Sequence, residues 1–589
     1  MSNAFRLAGP LALSLLSSCA SEGPSEGDAT PARHPNLVVF LTDDQGFGDF
    51  GHAGHPALST PHLDRLAAES PRVERFYVSP VCSPTRASLL TGRYNYRTRV
   101  VDTWVGRSMM EPEEVTLAEV LRDAGYATGI FGKWHLGDCF PLRPTEQGFE
   151  TALIHRGGGI AQPSEPPANG RRYTDPILLR DGVEVETEGY CTDVYVDAAL
   201  GFIDAALASD RPFFAYVPTN APHGPFHDVP QESYDRARAR DLLAALPGDP
   251  AADDDRVDRE ARIVAMVENI DQNVGRMLAH LEARGIAEDT VFVFLNDNGP
   301  VWGRYTAGLR GYKTGVYEGG IRTPLFVRWP GRLSPDTVVA DAGAHIDLLP
   351  TLLEAVGVEP PAVELDGRSF FAQLAGDATR LPERSLFLQT HRGDVPAFEH
   401  HFAVVGPRYK LVRASGFGRK QPPADHPFEL FDLLADPGEA IDLAAAQPER
   451  VARMRAEYRA WFEDVSSTRA DNYAPPRIVV GDPRETRTVL TRQDWRAEDQ
   501  GGWGQNGTWQ LRCEHETERT GELLFTKPAD VARVLVRVDD DEQTFEPERT
   551  GATIEFGRVR LPARDFALRV VAYDPEGALV PIHQVALSD

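Results

Sequence analysis

Two short runs constrain this chain more than any other feature of its 589 residues: "NLVVFLTDD", closing on Asp43 and Asp44, and "TVFVFLNDN", closing on Asp297 and Asn298. Each carries an unbroken apolar stretch, Leu37 to Leu41 and Val291 to Leu295, the pattern of a parallel strand buried on both faces. "YATGIFG" before Lys133 and "PFFAYVP" ahead of His223 read the same way. Between them lie helical patterns: "STPHLDRLAAES" with Ser59 or Thr60 as cap and Pro61 in the first turn, "TLAEVLRDAG", "ARIVAMVENIDQNVGRMLAHLEARG" and "HIDLLPTLLEAVG". Strand alternating with helix predicts an α/β fold, a mixed and largely parallel sheet sandwiched by helices.

In open sheets of this kind ligands collect beyond the carboxyl ends of the strands. Asp43-Asp44, Lys133-Trp134-His135, Pro222-His223 and Asp297-Asn298 all follow strand-like runs. Asp43, Asp44, Asp297 and Asn298 offer oxygen ligands alone, which suits a hard cation, Ca²⁺ ahead of Mg²⁺ where carboxylates bind from two sides. Asp253-Asp254-Asp255 and Asp539-Asp540-Asp541 follow no such run and read as solvated turns. Arg86, Lys133, His135, His223 and Lys313 add positive charge and proton transfer. A tetrahedral anion beside a cation needs both: donors for its free oxygens and an acid for its leaving oxygen. The formal charge of −27 disfavours nucleic acid and anionic membrane surfaces as partners, so an anionic substrate requires such a local basic pocket.

"VCSPTRASLLTGR", residues 81–93, puts Cys82 at the start of a helix, with Ser83 able to cap it and Pro84 suited to its first turn. Backbone N–H groups and the dipole there favour negative charge. From the residues alone, Cys82 is either an activated thiolate nucleophile or an inert buried thiol.

Cys82-Ser83-Pro84-Thr85-Arg86 followed by "ASLLTGR" resembles the signature of the type I sulfatases, in the alkaline-phosphatase-like superfamily, whose core is Cys-x-Pro-x-Arg. "GIFGKWHLG" at 129–137 and "GYKTGVYEGGIRTP" at 311–324 resemble that family's second and third signatures, and the resemblance runs in order from about Asn36 to Phe462. Thr85 stands where many members carry Ser, a position the pattern leaves open. The resemblance implies hydrolysis of sulfate monoesters, carbohydrate sulfates and artificial aryl sulfates among them. It implies that Cys82 is oxidised to formylglycine by a formylglycine-generating enzyme or its equivalent. One hydroxyl of the hydrated aldehyde then attacks sulfur, and the second loses its proton to release sulfate; a serine would lack that second hydroxyl. It further implies Ca²⁺ on Asp43, Asp44, Asp297, Asn298 and the modified Cys82, with Arg86 holding the diol. Lys133 and Lys313 neutralise sulfate oxygens, His223 protonates the leaving alcohol and His135 serves as base. Lys133, His223 and Lys313 are substrate contacts in this reading. His155, in "ALIHRGGGIAQP", joins them where the family often carries a substrate-contacting polar residue.

The ends of the chain read differently. Residues 1–34 contain Arg6, an apolar run from Leu7 to Leu16 and Leu16-Ser17-Ser18-Cys19, which resembles a bacterial lipobox. The expectation is an exported protein, periplasmic or attached to the outer membrane of a bacterium, touching membrane only through a lipid anchor at Cys19; a plain secretory signal is the alternative. Residues 35–378 form the expected catalytic domain. Residues 379–475, with "SLFLQTH", "HFAVVG" and "YKLVRA" ahead of a helical tail, form a small α+β subdomain with an antiparallel sheet. Residues 476–589 alternate apolar and polar in "GTWQLRCEHE", "ARVLVRVDD" and "FALRVVAYD", predicting an added β-sandwich; Trp503 and Trp509 offer faces for sugar stacking, but packing of its core or its interface is the expectation, and no activity is assigned to it. Cys139, Cys191 and Cys513 have no metal-like spacing and make no disulfide framework.

Two other functional classes fit part of the pattern. One is a phosphonate or phosphodiester hydrolase of the same superfamily; the other is a lipid-tethered carbohydrate-binding protein with an unmodified Cys82 and no activity. Lys133-x-His135, Lys313 and "YEGG" favour sulfate, since a phosphatase of this superfamily brings further His and Asp ligands for a second ion. Specificity falls to the variable stretches 155–190, 225–258 and 391–425, where no residue names a sugar.

Overall fold

The apolar run from Leu37 to Leu41 becomes a central strand. In the computed structural model, which describes residues 34–246, 254–468, 473–498, 503–504, 506–547 and 549–589, eight strands form the main sheet. In chain order they are β1 (Asn36–Thr42), β2 (Ala127–Lys133), β3 (Thr151–His155), β4 (Ile177–Arg180), β5 (Val183–Glu186), β6 (Phe213–Pro218), β7 (Thr290–Asn296) and β8 (Leu325–Arg328). Their spatial order is β8-β7-β1-β6-β2-β3-β4-β5. The five strands from β7 to β3 run parallel, while β8, β4 and β5 are antiparallel additions at the edges. The sheet is therefore mixed and largely parallel, as its apolar runs predict.

Alternate residues of β1 enter different cores. Leu37, Val39 and Leu41 pack with Leu89, Leu121 and Leu352 on one face, drawing in the helices Cys82–Thr91, Leu117–Asp123 and Leu348–Val356. Val38 and Phe40 pack on the other face with Leu63, Ile203 and Ile270, from the helices Pro61–Ala68, Cys191–Ala208 and Asp254–Ala283. Burial on both faces is why β1 is apolar without a break from Leu37 to Leu41. The long helix starts earlier than its apolar pattern, because Asp254 and Asp255 supply negative charge to its first turn. Asp253, like the Arg6-to-Cys19 segment, lies outside the described residues.

Leu386–Gln389, Phe402–Val405, Tyr409–Arg413 and Glu429–Asp432 form an antiparallel four-stranded sheet, covered by Met454, Tyr458, Trp461 and Phe462 of the helix Pro448–Ser466. Beyond residue 477 two further sheets share a core containing Trp509, Val536, Ile554 and Val585. Met109, Cys139 and Leu142 from the earlier part of the chain belong to the same core, so the strand-rich end does not stand apart from the rest. Trp509 is buried there, its indole N–H donating to the Thr491 carbonyl at 2.7 Å, whereas Trp503 lies edge-on to Trp104 with ring centroids 5.1 Å apart.

Candidate active site

Register brings the acidic loops together. Thr42 of β1 pairs with Asn296 of β7, so Asp43 and Asp297 leave the sheet side by side, and the Asp297 amide donates to the Thr42 carbonyl at 2.9 Å. Asp44 turns back through a left-handed backbone (φ +67°), unusual for a residue with a Cβ, and its amide donates to Asp297 Oδ1 at 3.3 Å. Two strands away, β2 ends at Lys133. Gly132 is required there: at φ +140° a Cβ would lie 2.0 Å from the Pro218 carbonyl at the end of β6. His135 follows, also left-handed at φ +60°.

The helix Cys82–Thr91 points its first turn into this cluster. Its N-cap is Val81 in extended conformation, so the expected cap at Ser83 is not formed; Ser83 lies inside the first turn and its hydroxyl is buried without a partner. Burial pushes the Cys82 thiol above its ordinary pKa despite Lys133 and Lys313 nearby, so the encoded cysteine is not an activated thiolate. Its Sγ lies 3.4 Å from His135 Nδ1, and Sγ with oxygens of Asp43 and Asp297 falls within 4.8 Å, close enough to share a metal ion.

Charge in the pocket is tightly arranged. Lys133 Nζ donates to Asp43 Oδ2 at 2.6 Å, Lys313 Nζ donates to Asp44 Oδ1, and Asn298 Nδ2 donates to the same oxygen at 2.9 Å. Arg86 donates to Asp297 Oδ2 at 2.8 Å and to the Lys133 carbonyl at 2.7 Å, and the Thr85 hydroxyl donates to the Asp297 carbonyl at 2.7 Å. Three oxygens in this crowd are buried without any hydrogen-bond partner: Asp43 Oδ1, Asp44 Oδ2 and Asn298 Oδ1. Such a set costs stability unless a cation takes it up. Burial and then the neighbouring Asp43 charge push the Asp297 carboxyl up to about 7. Burial works on Asp43 too, but Lys133, His223, Lys313 and Arg86 outweigh it and hold Asp43 well below the usual carboxylate range. For Lys313, burial is overcome by Asp44, which raises the ammonium above its ordinary value.

The histidines divide by position. His135 Nε2 lies 2.8 Å from the Thr103 carbonyl, which can only accept; the ring therefore carries its proton on Nε2 and turns the Nδ1 lone pair to Cys82. Burial, then Lys133, lowers its pKa well below the usual range, favouring that neutral form. His223 donates from Nδ1 to the Gly224 carbonyl at 2.7 Å and turns Nε2 toward Asp44 Oδ2 at 3.8 Å. The side chains of His223 and Lys313 keep 18% and 13% of their exposure while Lys133, Asp43 and Asp44 keep none, so the pocket opens on the His223 and Lys313 side. His155, level with Lys133 in the sheet, is buried; its Nδ1 faces the Arg156 carbonyl at 2.9 Å, Nε2 has no partner, and burial lowers its pKa to about 3.

The structure thus brings Asp43, Asp44, Cys82, Arg86, Lys133, His135, His223, Asp297, Asn298 and Lys313 into one cluster, with His155 on the strand beside it. Sequence reasoning missed the supports. Buried Arg304 pairs with Asp49 at 3.2 Å and donates to the Asp44 carbonyl at 3.0 Å, while Asp49 Oδ2 accepts from the Gly46 amide at 2.7 Å. The "DDQGFGD" spacing was the available signal, a second acid five residues after the pair. His401 Nε2 lies 2.6 Å from the carbonyl of Thr314, next to Lys313.

Five parallel strands delivering carboxylates, lysines and histidines to one buried pocket define an alkaline-phosphatase-like hydrolase. The Sulfatase family profile matches residues 35–358, more than half of the chain, and that of the N-sulphoglucosamine sulphohydrolase C-terminal region matches residues 311–462. The chain belongs to the sulfatase family, whose members are sulfuric ester hydrolases. It is 32% identical over 463 residues to human (Homo sapiens) arylsulfatase A, covering 71% of this chain and 86% of that protein. It is 34% identical over 469 residues to the N-acetylgalactosamine-6-sulfatase of Sus scrofa, covering 72% and 84%. Among solved structures, Ps i-CgsB in complex with k-i-k-neocarrahexaose shares the fold with a TM-score of 0.62 at 24% identity, over 74% of this chain and 94% of that one.

Proposed function

We propose that this chain hydrolyses sulfate monoesters of carbohydrates through a formylglycine made from Cys82, with Ca²⁺ held by Asp43, Asp44, Asp297, Asn298 and the modified residue 82. The observation that carries the reading is the set of buried, partnerless oxygens on Asp43, Asp44 and Asn298 beside Cys82 and two lysines. Oxygen donors converging from two loops fit a hard cation of calcium type. Calcium there would polarise the nucleophile and one sulfate oxygen. The hydrated formylglycine supplies one hydroxyl for attack on sulfur and a second whose deprotonation releases sulfate.

The chain's own residues do the rest. Arg86, fixed by Asp297 and the Lys133 carbonyl, holds the residue 82 side chain. Lys133 and Lys313 donate to the sulfate oxygens and balance their charge. His135 accepts a proton at Nδ1, the nitrogen already turned to residue 82. His223 donates from Nε2 to the alcohol oxygen, on the open side where the rest of the ester must lie. His155 stands by Lys133 as a further substrate-side residue.

Support for a sugar comes from relatives named for N-acetylgalactosamine-6-sulfate and from a fold neighbour carrying a neocarrahexaose. An exported chain, tethered through Cys19 and matured by a formylglycine-generating enzyme, would meet such polysaccharide sulfates outside the cytoplasm. We divide it into 1–34, signal and linker; 35–378, catalytic; 379–475, the antiparallel subdomain; and 476–589, the β-sandwich.

Peptide mass spectrometry on protein from a host with the modifying enzyme tests the chemistry: conversion lowers the mass of the residue 82 peptide by about 18 Da. The same preparation should cleave nitrophenyl sulfate far faster than nitrophenyl phosphate. Full activity with an intact thiol overturns the mechanism, and a preference for phosphate overturns the substrate class.

A further inference from the structure

The strand-rich region at the end of the chain reaches into this site. Gln493 is buried, and its Nε2 donates to the Thr103 carbonyl at 2.9 Å and to Ser108 Oγ at 2.8 Å, while lying 3.3 Å from His135 Nε2. The same Thr103 carbonyl takes the Nε2–H of His135. A carbonyl oxygen has two lone pairs, so it accepts both. The Gln493 backbone is anchored as well: its carbonyl accepts from the Gly106 amide at 2.8 Å. Gly106 is left-handed (φ +74°), and a Cβ there would come within 2.9 Å of the Asp494 carbonyl, so only glycine permits this approach.

The opposite wall of the His135 slot is held from the same region. Gly158 lies so close that a Cβ would fall 2.5 Å from the imidazole. Its loop continues to Ser164 and Glu165, whose carbonyls accept from Gln584 Nε2 at 2.8 and 2.7 Å.

We propose that Gln493 is a positioning residue for the reaction: by fixing the Thr103 carbonyl it holds His135 in the Nε2–H tautomer, with Nδ1 aimed at residue 82. The inference rests on the assignment of His135 as proton acceptor made above. It turns the terminal strand-rich region from an appendage into one wall of the catalytic pocket. Groups that orient a functional imidazole through its second nitrogen commonly control activity without touching substrate.

Full-length Gln493→Ala and Gln493→Met, prepared alongside the wild type, test it. Methionine is close to glutamine in length but has no N–H for the Thr103 carbonyl and no strong acceptor for His135. Both variants should lose about 10- to 100-fold in kcat on nitrophenyl sulfate, the range for groups that orient a ligand or base, with KM and melting temperature close to wild type. In ¹⁵N-histidine spectra, the Nε2–H signal of His135, identified by its absence in His135→Ala, should give way to mixed tautomers. Wild-type kcat in Gln493→Met, or an unchanged His135 tautomer in both variants, overturns the proposal. An inactive wild type instead contradicts the sulfatase mechanism, and the tautomer spectra still report the hold of Gln493 on His135, since they need no turnover.

Discussion

Lys410 and Lys133 are both fully buried lysines facing carboxylates, and the difference between their surroundings separates a clamp from a site. Lys410 Nζ lies 2.9 Å from Glu318 Oε1 and 2.8 Å from Glu439 Oε1; Glu318 Oε2 takes the Tyr77 hydroxyl at 3.2 Å, and Glu439 Oε2 takes the Glu318 amide at 2.7 Å. Three of the four carboxylate oxygens in that clamp accept a hydrogen bond, and the fourth, Glu439 Oε1, makes only an ion-pair contact with Lys410. Around Lys133 an ammonium again meets buried carboxylates, yet oxygens of Asp43, Asp44 and Asn298 are left over. Arg86, Lys133 and Lys313 also match Asp43, Asp44 and Asp297 in number, which leaves the pocket little net positive charge with which to attract an anion. A divalent cation on the spare oxygens would make it positive. Surplus acceptors, rather than buried charge as such, mark the place where a ligand belongs.

Variants can break this comparison. The largest effect should come from Cys82→Ala, which removes the side chain proposed to become the nucleophile: a loss on the order of 10⁵-fold in kcat, by steady-state assay, with the melting temperature near wild type. Next comes a crossed pair. Lys133→Ala should lower kcat/KM by about 10²- to 10³-fold and, in calcium-loaded protein, cost less stability than Lys410→Ala, because the cation would still balance the buried Asp43 carboxylate. Lys410→Ala, which strands two buried carboxylates, should cost about 3–5 kcal/mol in urea unfolding while folded molecules keep their turnover. The reverse result for either lysine would erase the distinction.

A third effect is read through pH. Asp297 sits at about 7 in the folded protein without a cation, against an ordinary 3.8. The folded state therefore binds more protons than the unfolded state between those values, and this group's contribution to stability falls as pH rises through that window. Bound calcium would keep Asp297 ionised and remove the slope. The gap in melting temperature between calcium-loaded and chelated protein should widen from pH 4 to pH 7; a constant gap would contradict the coupling. The smallest effect expected is that of Arg304→Lys, which keeps the charge but loses the planar hold on Asp49 and the Asp44 carbonyl: about tenfold weaker calcium binding, measured by titration.

Local patterns were legible. The unbroken apolar runs gave β1 and β7, and the residues after them fell into one pocket because register, once the strands are parallel neighbours, leaves Asp43 and Asp297 no choice. The three signatures gave the sulfatase family. What stayed hidden joins residues far apart in the chain, where no short motif can point: Asp49 with Arg304, Glu318 with Lys410, Gln493 with Thr103. Each looks in sequence like an ordinary surface residue. The left-handed turns at Asp44 and His135 are equally silent, because nothing in an Asp or His announces a positive φ. The alternation in 507–573 revealed strands, but no pattern within them could reveal that they share a core with Met109 and Leu142.

The central claim, that the spare oxygens of Asp43, Asp44 and Asn298 form a hard-cation site beside residue 82, is tested most directly by calorimetric titration of the metal-stripped full chain with calcium. One calcium per chain should bind, with magnesium weaker, and binding should vanish in Asp44→Ala while surviving in Lys410→Ala. Calcium binding that persists undiminished in Asp44→Ala, or no binding at all by the unaltered chain, would contradict it.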